Sequence, residues 1–83
     1  MEKIRVMIVD DHQLVRDGIK ALLEDEGDII IAGEANNGDE MLVGIKEQQP
    51  HIILMDISLP GKSGIDLTKD INKRFPDIKV LIL

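Results

Sequence analysis

Cysteine is absent from the 83-residue sequence, and so are tryptophan and tyrosine. Without thiols the chain can form no disulfide, no thiolate metal site and no cysteine nucleophile. Phe75 is the single aromatic residue, so the core has to be aliphatic, built from Ile, Leu, Val and Met. Long apolar runs are missing as well. Met1-Glu2-Lys3-Ile4-Arg5 leads into a run that Asp10 closes, too short for a signal-peptide core, and no segment is long enough to span a membrane. These absences fit a cytoplasmic protein with no membrane association. An excess of positive charge is lacking too. Sixteen acidic residues against ten basic ones give a net charge of −6, which argues against this segment holding nucleic acid by itself.

What is present is an alternation of short apolar runs and helical patterns. Ile4 to Val9 (IRVMIV) reads as a strand, because its length and the following Asp10-Asp11 disfavour a helix. Leu14, Val15, Gly18, Ile19, Leu22 and Leu23 then recur at helical spacing, and Gly27 is the expected C′ residue. Ile29 to Ala35 is a second strand. Asn37, three residues before Glu40, signals a helix start; Met41, Leu42 and Ile45 supply its apolar face and Pro50 ends it. Ile52 to Met55 is a third strand. Ser63-x-x-Asp66 is a second capping signal, followed by a Leu67, Ile71, Phe75 stripe and a stop at Pro76. Lys79 to Leu83 is a fourth strand. The order βαβαβαβ implies a parallel α/β sheet with helices on its faces. The strands are near-continuous apolar runs, as expected where both sheet faces are buried. The fourth strand reaches the last residue and is expected to present an apolar edge that invites pairing with another chain.

In such a sheet the strands point one way, and ligands bind at their carboxyl ends where the winding reverses. Asp10 and Asp11 directly follow the first strand and Asp56 directly follows the third. If those strands are neighbours, three carboxylates converge. Such a cluster tolerates ionisation only with a cation among the acids or a proton on one of them. Magnesium, a hard ion that prefers oxygen ligands, suits the site. A carboxylate beside it is a feasible nucleophile towards phosphorus. Other motifs fall away. Gly61-Lys62-Ser63 resembles the end of a phosphate-binding loop, yet Asp56 stands where its first glycine should be. No G-x-G-x-x-G follows the first strand. His12 and His51 lack metal-ligand spacing, and a loop role is the expectation for His12. Lys62 is expected to be a solvated loop lysine, and Met7, Met41 and Met55 core filler.

I-V-D-D-H-Q-L-V-R-D-G-I (Ile8 to Ile19) and L-M-D-I-S-L-P-G-K-S-G-I-D-L (Leu54 to Leu67) resemble the receiver domains of two-component response regulators. The D-D-H-x-L-V-R-x-G wording is most similar to the NarL/LuxR class, whose members carry a C-terminal helix-turn-helix output domain. The resemblance spans residues 1–83. It implies a flavodoxin-like, doubly wound parallel sheet of order 2-1-3-4-5, of which the first four strands are covered. It implies that Asp56 accepts the phosphoryl group, that magnesium is held by Asp10, Asp11, Asp56 and the backbone carbonyl of Ser58, and that Asp10 acts mostly through a metal-bound water. A sensor histidine kinase or a small acyl phosphate would be the donor, and DNA would be met only through the output domain. The family's Ser or Thr after the fourth strand would follow Leu83, and its Lys after a fifth strand also lies outside these residues. The 83 residues alone are therefore expected to bind magnesium, to be phosphorylated poorly, and to self-associate as a homodimer or by strand-edge or element exchange. Two alternatives stay open at this point: a magnesium-dependent phosphohydrolase using Asp56 transiently, and an interaction domain without phosphorylation.

Overall fold

The computed structural model describes residues 2–83. The elements follow the order β1 (Ile4–Val9), α1 (Gln13–Leu23), β2 (Ile29–Ala35), α2 (Gly38–Gln48), β3 (Ile52–Met55), α3 (Gly64–Arg74) and β4 (Lys79–Ile82). All strand pairings are parallel, and the sheet order is β2-β1-β3-β4. The chain winds from β1 out to β2, then crosses to β3 on the other side of β1. Right-handed crossovers in opposite directions place helices on opposite faces. Met41 and Ile45 of α2 and Leu67 and Ile71 of α3 accordingly share one core with Met7, Val9, Ile53 and Met55. Val6 and Ile8 are also buried but lie outside that cluster, on the α1 side of the sheet, as strand alternation requires. The β1–β2 register is irregular between Val6 and Met7: Ile31 faces Val6 and Gly33 faces Met7.

The local signals work through their hydrogen bonds. The Asn37 side chain accepts the Glu40 amide at 2.9 Å and the Ser63 hydroxyl accepts the Asp66 amide at 3.2 Å, each occupying an orphan donor of the first turn. Glu40 reaches back one residue further than a standard capping box, accepting from the Asn36 amide at 2.8 Å. α2 ends on Gln49 in the left-handed conformation, φ 49°, just before Pro50.

Three expectations need correction. Gly27 is not the C′ residue of α1. That helix ends at Leu23 and is capped by Glu24 in right-handed geometry, so the chain leaves helical structure before Gly27 is reached. The apolar stripe of α1 is not a buried face either. Leu14 and Leu22 are 83% and 78% exposed, while the one buried residue of α1 is Arg16. Nor are all strands covered on both faces, since Ile30, Leu81 and Ile82 are exposed. The fourth strand has the exposed apolar surface expected from its sequence.

Candidate metal and phosphoryl site

Backbone bonds set the site before any side chain does. The Asp10 amide donates to the Ala35 carbonyl at 3.0 Å, and the Asp56 amide donates to the Val9 carbonyl at 2.9 Å. β1 is thus bonded on both sides at its carboxyl end, and Asp56 is fixed alongside Asp10. Asp10, Asp11, Asp56 and His12 each offer one ligand atom, and these four atoms all lie within 4.8 Å of one another. The three carboxylates named from sequence therefore converge at the edge where the winding reverses. Asp10 is buried, Asp56 half-buried and Asp11 open to solvent. A wall of protein on one side and water on the other suits a small ion that keeps part of its hydration shell.

Each acid has its own restraint. Asp56 Oδ1 accepts the Ser58 amide at 3.1 Å, an Asx-type turn that fixes the carboxylate and leaves the second oxygen without a donor among the described residues. Asp10 Oδ1 accepts the His12 amide at 2.8 Å. His12 lies in the loop before α1, as expected, and its ring also joins the cluster. Its Nδ1 is 2.9 Å from Asp10 and 3.0 Å from Asp11. The hydrogen bond to Asp10, then the charge of Asp11, push its pKa above the ordinary value. An imidazolium there balances part of the negative charge when no metal does. Ser58 is exposed, and its amide serves Asp56. Lys62 is exposed but not free, pairing with Asp70 at 2.7 Å.

The loop from Asp56 to α3 is shaped by two glycines. Gly61 has φ +87°, a left-handed conformation that glycine adopts at little cost. Gly64 donates to the Ile57 carbonyl at 2.9 Å. A Cβ on Gly64 would stand 2.6 Å from the Asp56 carbonyl oxygen and 2.9 Å from the Ile57 Cα, so only glycine lets α3 start this close to Asp56.

Sequence reasoning missed Arg16. Its side chain is 8% exposed and donates to the Asp10 carbonyl, to Asn36 and to Gln13 at 2.5 Å each, and to Glu34 at 3.0 Å. A signal existed. Arginine near a helix N-terminus is disfavoured by the helix dipole, so its placement there suggests a partner outside the helix.

A doubly wound parallel sheet with an acidic cluster at its switch point defines a flavodoxin-like domain of the receiver type. The chain belongs to the response regulator receiver domain family, whose model matches residues 6–83. It is 42% identical to the response regulator GacA of Pseudomonas protegens over 94% of this chain and 37% of that protein. It is 38% identical to the transcriptional regulatory protein DegU of Brevibacillus brevis over 98% of this chain and 34% of that protein. The chain thus spans about a third of the length of the curated relatives it matches. Among solved structures, the receiver domain of NarL from Mycobacterium tuberculosis superposes with a TM-score of 0.90 at 33% identity, covering 99% of this chain and 66% of that one. RcsB of Salmonella typhimurium gives 0.92 at 29% identity, covering 99% and 42%.

Proposed function

We propose that this domain is a phosphorylation-controlled switch in which Asp56 accepts a phosphoryl group beside a magnesium ion. The observation that carries the reading is the convergence of Asp10, Asp11 and Asp56 at the switch point, with ligand atoms within 4.8 Å. The donor set fits the metal, being three hard carboxylate oxygens. Asp10, Asp11, Asp56 and the Ser58 carbonyl would hold magnesium. When bound, the ion would offset charge on the phosphoryl oxygens and on the acids themselves.

The chain's own residues supply the rest. The Ser58 amide holds one Asp56 oxygen, and the other oxygen attacks phosphorus. The new O–P bond forms as the donor's N–P bond, in a phosphohistidine, or its acyl O–P bond breaks, and the bonding pair leaves with the donor. Attack by a carboxylate oxygen releases no proton.

The domain is proposed to act as a switch rather than as an enzyme turning over external substrates. Three of the relatives and neighbours support the wider role. DegU and LiaR are named transcriptional regulatory proteins, and RcsB has been solved as dimers bound to DNA and with a phosphomimetic. We place this domain ahead of a helix-turn-helix output domain, with a sensor histidine kinase as donor, a homodimer as the working assembly and the cytoplasm as its compartment. Among the described residues no helix is long and apolar enough to cross a membrane.

The test is chemical. Acetyl phosphate with magnesium should label the full-length protein, output domain included, on Asp56, as read by intact mass, and Asp56→Asn should abolish the label. Labelling that survives the substitution overturns the proposal.

A further inference from the structure

We propose that Arg16 is a positioning residue for the acid cluster: its guanidinium sets the orientation of the peptide joining Asp10 to Asp11, and with it the direction of the second carboxylate. The inference rests on the reading of the cluster as a magnesium site only in its functional consequence, since the geometry stands without the ion.

Consecutive side chains of an extended strand point to opposite faces. Asp10 and Asp11 are consecutive, yet their carboxylates join one cluster with Asp56. The chain therefore has to turn between them, and the plane of the 10–11 peptide decides where Asp11 goes. The carbonyl of that peptide is the Asp10 oxygen, and Arg16 Nη1 donates to it. The same nitrogen donates to Asn36, just past the end of β2, while Nε donates to Glu34 within β2. Nη2 is held by Gln13 in α1. Three separate segments are thus gathered on one rigid fork.

The choice of acceptor matters. Arg16 sits beside an acid cluster but bonds the Asp10 backbone and spends its ionic partnership on Glu34, whose other oxygen takes Lys20 at 2.9 Å. Arg16 itself takes no carboxylate oxygen of Asp10, Asp11 or Asp56. A guanidinium in this role is also hard to replace. Lysine carries the charge but cannot span acceptors in a fixed plane.

The experiment compares wild type, Arg16→Lys and Arg16→Gln in the full chain, at a temperature where denaturation curves show each protein folded. The first arm is metal-free. The His12 amide, which follows the turn and donates to Asp10, should exchange with solvent about tenfold faster in both variants, with the Ile53 amide of β3 unchanged. Unchanged His12 exchange overturns the proposal whatever the metal does. The second arm titrates magnesium chloride and follows the amide resonances of Asp11 and Asp56. Both variants should bind about tenfold more weakly, the scale seen when groups orienting a metal ligand are removed. Full recovery of affinity by lysine overturns the proposal, because charge alone would then suffice. Absence of any saturable shift in the wild type would instead defeat the magnesium reading, and the exchange arm would still decide on Arg16. Where Arg16→Gln does not fold, Asn36→Ala keeps the guanidinium and removes one acceptor. A threefold acceleration of His12 exchange is then expected, and no acceleration overturns the inference.

Discussion

The Nδ1 nitrogen of His12 lies 2.9 Å from Oδ1 of Asp10. That bond, reinforced by the charge of Asp11, raises the histidine pKa in the folded chain above its ordinary value of about 6.5. The sign of the linkage follows: the folded state holds the proton more tightly than the unfolded one. The stabilisation is complete below the unfolded pKa and is lost as pH rises through the folded value. In metal-free buffer, stability should therefore fall as pH climbs from below 6.5 through that range, and His12→Gln should flatten the profile. An NMR titration of the ring should show the raised pKa, and saturating magnesium should bring it back down. A ring titration that ignores magnesium means that no cation enters the cluster.

Crowded carboxylates also predict a trade between function and stability. Asp56→Asn removes one of three neighbouring negative charges, so the metal-free variant should be more stable than wild type by about 0.5–2 kcal/mol, the range usual for a single stabilising substitution. With magnesium at 100 times its dissociation constant the wild type should gain about 2.7 kcal/mol. The variant should gain much less. Urea denaturation with EDTA and with magnesium gives all four values. Equal magnesium responses would remove Asp56 from the proposed ligand set.

Gly64→Ala should damage both fold and site. The added methyl meets backbone atoms of Asp56 and Ile57, which have no rotamer to escape into. A loss of about 1–3 kcal/mol is expected for such overpacking, with weaker magnesium binding because Asp56 moves. A variant of wild-type stability and affinity would show that the start of α3 yields freely.

The two sides of the sheet should respond differently to truncation. Ile71 is fully buried in the α2–α3 core, so Ile71→Ala should cost about 2–5 kcal/mol. Leu22, 78% exposed on α1, should cost under about 0.5 kcal/mol as Leu22→Ala. Chemical denaturation separates the two. Similar losses would mean that Leu22 is covered by something in solution.

That contrast marks where the sequence was legible. β1, β2 and β3 were readable to the residue, because aliphatic runs flanked by Asp, Gly and Pro leave little room for another assignment. Asn37 and Ser63 announced α2 and α3 through their side-chain oxygens. The convergence of Asp10, Asp11 and Asp56 needed β1 and β3 to be neighbours, which the family resemblance implied and the sheet order shows. The α1 face was not readable. Leu14, Ile19 and Leu22 have helical spacing whether or not anything packs against them, and periodicity records polarity rather than contact. Arg16 and His12 were missed for a related reason. Most partners of Arg16 lie on other elements and those of His12 depend on a turn between two adjacent acids, and apolar periodicity records neither.

The irregular register between β1 and β2 has a consequence for charge placement. Strand partners share a face of the sheet, and a slip of one residue exchanges the faces. With Gly33 opposite Met7, Glu34 pairs with Ile8 and Ala35 with Val9. Were Ala32 opposite Met7 instead, Glu34 would meet Val9 and its carboxylate would enter the aliphatic layer under α2. A single supernumerary alanine thus steers an anion out of oil and onto the arginine waiting on the far side.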